Sequence, residues 1–199
     1  MRLVVCSVRM KAAPGALIFV VLGVATVLAQ IASAASPPAA ASCSDAIYTS
    51  RANRPPKPVQ AIRIGPVVFN SLADLTTVRG LDKPSKQLPF YTVKLPLTIL
   101  AQAHRGVIIT LTGGQENAAL LYTRLWLLRL IDRWHFRFRD VPRSVRLPLC
   151  RESATKLPLN TQYAGGFLLR KPGCLTIRVH AVGETTAHQA TVPVGVSHC

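Results

Sequence analysis

Short runs in which apolar and polar residues alternate one for one, punctuated by Pro and Gly, constrain this chain more than any other feature. A period of two is the pattern of a strand with one face buried. Tyr91, Val93, Leu95, Leu97 and Ile99 alternate with Thr92, Lys94, Pro96 and Thr98. Pro96 has no amide to donate, so this strand is expected at a sheet edge or locally broken. Ile62, Ile64 and Phe69 belong to a second run, in which Gly65-Pro66 marks a bulge or bend. Gly106 to Thr112 forms a third, closed by the turn Gly113-Gly114. The clearest alternation is Arg133 to Asp140, with Trp134, Phe136 and Phe138 on one face and Arg133, His135, Arg137 and Arg139 on the other. Val141-Pro142-Arg143 turns it into Ser144 to Cys150, where Val145, Leu147 and Leu149 face inward and Arg146 extends the basic face. Two strands are expected around the turn Lys171-Pro172-Gly173, and a last one carries Val192, Val194 and Val196. Glu116 to Ile131 departs from the pattern: a strand is expected over Ala118–Tyr122, and a short helix or a loop over the rest, where Leu121, Leu125 and Leu128 have helical spacing. These elements together describe an all-β fold, an immunoglobulin-like two-sheet sandwich.

The N-terminus sets the compartment. Arg2, Arg9 and Lys11 precede an uncharged, largely apolar stretch, and Ala32-Ser33-Ala34 supplies small residues where a signal peptidase reads them, so residues 1–34 are expected as a signal peptide cleaved after Ala34. A membrane-tethered ectodomain with the leader uncleaved is the rival reading, since Ala12 to Ala35 is long enough to span. Residues 35–42 form a Pro/Ala linker, and 43–199 a single domain large enough to bury a core unaided.

Export makes the cysteines interpretable. Cys43, Cys150, Cys174 and Cys199 follow the leader, an even count that reads as two disulfides with three possible pairings. The pairing expected is Cys150 with Cys174, around one hairpin-like excursion, and Cys43 with Cys199, tying the two ends of the domain. Chain-entropy arguments assign these about 3.5 and 5 kcal/mol. No C-x-x-C spacing points to a metal.

The stretch Val145-Arg146-Leu147-Pro148-Leu149-Cys150 is followed by Tyr163 to Leu169, Pro172 to Ile177 and a terminal Val-Gly-Val-x-x-Cys. This succession, together with Val93 to Leu97, resembles a group of exported actinobacterial proteins of uncharacterised function. The resemblance covers roughly the last two-thirds of the chain after the leader, and it implies a secreted β-rich domain in which Cys150 and Cys174 are paired. It carries over no catalytic residue.

Chemistry-bearing patterns are sparse. The chain has no G-x-S-x-G, no H-E-x-x-H and no phosphate-binding glycine loop, and Gly113-Gly114 and Gly165-Gly166 read as turns or bulges. His180 and His188 could face each other across a hairpin around Gly183-Glu184 if the two strands it joins run antiparallel, and no metal or other cofactor is expected. Of the 24 Lys and Arg and 8 Asp and Glu, the leader holds three bases and no acid, which leaves a formal charge of +13 after Ala34. Such an excess favours anionic partners. The expected function is therefore that of a secreted, non-enzymatic cell-envelope protein whose basic face, Arg133, His135, Arg137, Arg139 and Arg146, binds an anionic envelope polymer or a membrane surface. Specific nucleic-acid recognition is not expected, because the aromatics of the basic strand alternate inward. A small envelope hydrolase with a dispersed site is the alternative from another class.

Overall fold

The computed structural model describes residues 37–50, 61–70, 81–86, 88–113, 116–131 and 137–199. The strands are β1 (Ala39–Ala40), β2 (Ala46–Ser50), β3 (Ile62–Ile64), β4 (Val67–Phe69), β5 (Tyr91–Lys94), β6 (Leu97–Ile99), β7 (Val107–Gly113) and β8 (Ala118–Leu120), then β9 (Ser144–Leu147), β10 (Asn160–Tyr163), β11 (Gly166–Leu169), β12 (Gly173–Ala181) and β13 (Ala187–Val194). One helix, α1 (Arg124–Ile131), follows β8. The strands form a sheet in the order β1-β9-β7-β12-β13, a second in the order β2-β10-β6-β4-β3 and a third in the order β5-β11-β8. Ala39–Ala40, inside the stretch read as a linker, thus adds an edge to the first sheet, parallel to β9.

Alternation works as expected where a strand has one wet face. In β12 Leu175, Ile177, Val179 and Ala181 are buried, whereas Arg178 is exposed. In β9 Val145 and Leu147 are buried around the exposed Arg146. The inward residues of all three sheets join in a single core that includes Val107, Ile109, Phe69, Leu97, Tyr163, Phe167 and Val194. Gly65-Pro66 proves to be the two-residue loop of a hairpin, with Ile62 opposite Phe69 and Ile64 opposite Val67. Gly65 holds φ +57, and its proline neighbour is confined to negative φ, the combination that a tight hairpin turn with glycine first requires.

The second and third sheets are two halves of one long strand pair. Tyr163 opposes Leu97 on one side of a break and Gly166 opposes Lys94 on the other, three residues along in each strand, so the register never changes. Pro96 sits in that break, as its missing amide leads one to expect. Several groups there find partners: Leu95 N–H donates to Gly165 O at 2.7 Å, Asn70 N–H to Pro96 O at 3.0 Å and the Tyr122 hydroxyl to Leu95 O at 2.8 Å. Gly165-Gly166 is the glycine side of the same break, with the Tyr122 ring lying where a Cβ on Gly165 would fall.

Burial pushes the Tyr122 phenol far above its usual range. The folded chain therefore keeps a proton that the unfolded chain releases above about pH 10. Tyr122's contribution is expected to be fully present below that pH and to fall by about 1.4 kcal/mol per pH unit above it. Urea midpoints measured from pH 7 to 11 should show this decline, and Tyr122→Phe should make it shallower but not abolish it, because burial also raises the Tyr163 phenol.

The disulfides are Cys43–Cys150 and Cys174–Cys199, which corrects the expected pairing of Cys150 with Cys174 and Cys43 with Cys199. Topology explains the difference. Between Cys150 and Cys174 the chain runs through β10 and β11, in the other two sheets, so no hairpin excursion brings these cysteines together. Instead Cys150 lies beside β10, its N–H donating to Thr161 Oγ1, and β10 pairs with β2, the strand that follows the Cys43 turn. Cys174, the second residue of β12, lies opposite Pro193 of β13, and the last bends of the chain return Cys199 to it.

Candidate anion-binding site

The basic face read from the sequence is divided by the fold. Arg133 and His135 lie outside the described residues. Arg137 and Arg139 are not rungs of a strand: Phe138–Asp140 is a turn of 3-10 helix, closed by Asp140 N–H to Arg137 O at 2.9 Å and Val141 N–H to Phe138 O at 3.2 Å. The residues after the turn account for it. Val141 is extended, as a residue before proline prefers, and the chain here crosses between sheets, since Pro142 O accepts from Leu120 N–H and Arg143 O from Leu111 N–H. A tight turn still sends Phe138 inward and its two arginine neighbours outward, which is all the local alternation demanded.

Arg146 does stand on the outer face of the first sheet, but apart from this turn. Its row there runs through Ile108 to His180, whereas Arg178, also exposed, faces Thr110 and Ser144 in the next row. With β7 between them, the two guanidinium-bearing strands are roughly 10 Å apart. That face carries separated charges rather than a ladder.

A denser group forms on the far side of the third sheet. Its strands β8 and β11 are buried on both faces, and their outer one is covered by a small cluster of Ala119, Leu121, Trp126, Phe138, Val141 and Leu168, with Phe90 packed against it. Phe138 meets Phe90 at 5.2 Å between ring centres, and the Arg170 guanidinium lies over the Phe138 ring, 4.6 Å from its centre. One phenylalanine thus holds Arg170 against its ring, and its chain neighbours Arg137 and Arg139 are both exposed. Stacking leaves the N–H edges of a guanidinium available for a planar anion. Two acids share the region. Asp140 is 3.9 Å from Arg139 with both side chains largely in water, an arrangement worth little, and Glu116 accepts from Asn117 Nδ2 at 2.7 Å.

Sequence reasoning missed Arg170 because only the fold brings it to Phe138. It also missed that Trp126 anchors α1, leaving Leu125 and Leu128 outside at 55% and 45% exposure. His180 and His188 do not meet. His180 pairs with Ala187 and bonds Glu184 O through Nε2 at 2.6 Å, while His188 faces the other side of the sheet and packs over Gly65. Among the described residues no group of three His, Cys, Asp or Glu is placed to hold a metal, and no helix is long and apolar enough to cross a membrane. Ser197 Oγ approaches His198 Nδ1 at 2.8 Å, but these are chain neighbours in an exposed tail. Compared with protein-family models, curated proteins and solved structures, the chain has no significant match.

Proposed function

We propose that this is an extracytoplasmic, non-enzymatic module that holds to anionic envelope surfaces through the arginines gathered around Phe138. The observation that carries the reading is the stacking of Arg170 on Phe138, whose chain neighbours Arg137 and Arg139 are both exposed, in a domain whose charge balance is strongly basic. Two disulfides and the leader-like N-terminus support maturation in an oxidising space, and the C-terminal pattern supports kinship with exported actinobacterial proteins. We further infer an immunoglobulin-like sandwich, because the short, mostly antiparallel strands share one core and the chain changes sheets between β9 and β10 and between β11 and β12.

Retention on an immobilised polyuronate tests the reading. Wild-type protein should elute later as salt is lowered, and Arg137→Ser with Arg139→Ser should reduce the slope of log affinity against log salt by about two, one for each charge lost. The pair Arg146→Ser and Arg178→Ser, on the first sheet, should change it less. Retention that ignores both salt and the first pair of substitutions would defeat the proposal.

A further inference from the structure

We propose that the Cys174–Cys199 bridge is a thiol-exchange site, which takes a low-molecular-weight thiol as a mixed disulfide on Cys199 and then closes again, while Cys43–Cys150 stays intact. The two bridges differ in what their sulfurs meet. Cys174 and Cys199 are both exposed. Cys43 is exposed too, but its partner Cys150 is buried at 5% exposure, with Sγ 3.8 Å from the Tyr163 hydroxyl, which itself donates to Pro148 O. Exchange runs by attack of a thiolate on one sulfur while the other departs as a thiolate, so a better solvated leaving group departs faster. An attack on the exposed Cys43 sulfur must expel Cys150 into a buried place, where burial raises a thiol's pKa and slows departure. At Cys174–Cys199 either thiolate departs into water.

The fold around this bridge tolerates its opening. β12 and β13 pair without a break from Gly173 opposite Val194 to His180 opposite Ala187, so the hairpin has its own ladder. Just beyond β13, Gly195 is buried at φ +70, so close to Leu81 and Pro172 that a Cβ would stand 2.6 Å and 2.8 Å from their side chains. That contact pins the chain ahead of Ser197, His198 and Cys199, which are exposed and outside any strand. Opening the bridge releases this short stretch and no strand. Cys199 therefore swings out with the adduct, and Cys174, fixed in β12, is the resolving thiol. In the forward step the thiolate R–S⁻ attacks Cys199 Sγ, the Cys174–Cys199 bond breaks, and its electron pair leaves with Cys174 Sγ, which takes a proton from water. In the return step the Cys174 thiolate attacks Cys199 Sγ and expels R–S⁻, so the cycle has no net oxidation or reduction.

The test uses wild-type protein with both disulfides formed and reduced glutathione as the thiol, at about pH 8, close to the ordinary thiol pKa. Samples are trapped with N-ethylmaleimide and mapped by peptide mass spectrometry, while near-ultraviolet circular dichroism follows the fold. Glutathione on Cys199 and maleimide on Cys174 should appear at least about tenfold faster than either label on Cys43 or Cys150, with the circular dichroism unchanged. In Cys174→Ser treated with oxidised glutathione, the Cys199 adduct should persist once the excess is removed, whereas the wild-type adduct should decay as the bridge closes. If Cys174 and Cys199 are labelled no faster than Cys43 and Cys150, or only where urea unfolds the domain, the exchange site does not exist. Glutathione on Cys174 rather than Cys199 would overturn the assignment of roles. None of these outcomes bears on polyuronate retention, so the arginine reading stands or falls separately.

Discussion

Replacing Cys43 and Cys150 together by Ser is expected to lower the unfolding free energy by about 5 kcal/mol and the melting temperature by roughly 10 to 20 °C. The bridge joins residues 107 apart, and the other, Cys174–Cys199, joins residues 25 apart. Closing the longer loop removes more freedom from the unfolded chain, whereas the shorter bridge is expected to contribute about 3.5 kcal/mol. The two loops do not overlap in sequence, so their effects on the unfolded ensemble should be close to additive. In the folded protein the Cys43 turn is already fixed by Ser42 and Asp45, with Ser42 N–H donating to Asp45 Oδ2 at 2.7 Å, so the substitution should leave β2 paired with β10. The check is urea unfolding of the Cys43/Cys150 and Cys174/Cys199 double Ser variants side by side. A larger m-value should accompany the larger loss, because the unlinked unfolded chain expands further. Equal losses from the two variants would show that loop closure is not what these bridges supply.

Alternation was legible in the sequence wherever one face of a strand meets water, as in β7, β9 and β12, and the break at Pro96 followed from a missing amide. The third sheet was harder to read. Ala118-Ala119-Leu120 and Phe167-Leu168-Leu169 are buried on both faces, so they carry no period, and α1 was ambiguous because its Trp126 anchor and its outward leucines look alike in a run of apolar residues. The disulfide pairing failed for a topological reason: proximity along the chain said nothing of β10 and β11 leaving the first sheet. At the candidate site, Arg137 and Arg139 stood out through an alternation that three residues of 3-10 turn satisfy as well as a strand does. Arg170 carried no local signal at all, since its meeting with Phe138 is long-range.

Gly166→Ala is expected to destabilise the domain by about 3 to 5 kcal/mol, the second large effect, although it adds only one methyl group. A Cβ at this position would stand 1.6 Å from the Val93 carbonyl oxygen, and the obstacle is backbone, which cannot rotate away. Relief requires β11 to part from β5 just where the ladder restarts after its break, and that movement would also disturb the seat of Tyr122 against Gly165 and Leu95 O. Gly173→Ala is the matched control: nothing lies within 4 Å of its Cβ, so the same methyl group should be neutral or stabilise by a few tenths of a kcal/mol. Tyr122→Phe isolates the other half of the device. It keeps the ring over Gly165 and removes only the donor to Leu95 O, leaving that buried carbonyl short of a partner at about 1 to 3 kcal/mol. Urea midpoints of the three variants should therefore fall in the order Gly173→Ala, Tyr122→Phe, Gly166→Ala. If Gly166→Ala unfolds within about 1 kcal/mol of Gly173→Ala, the strands on either side of Pro96 are not held in the single close register on which this architecture depends.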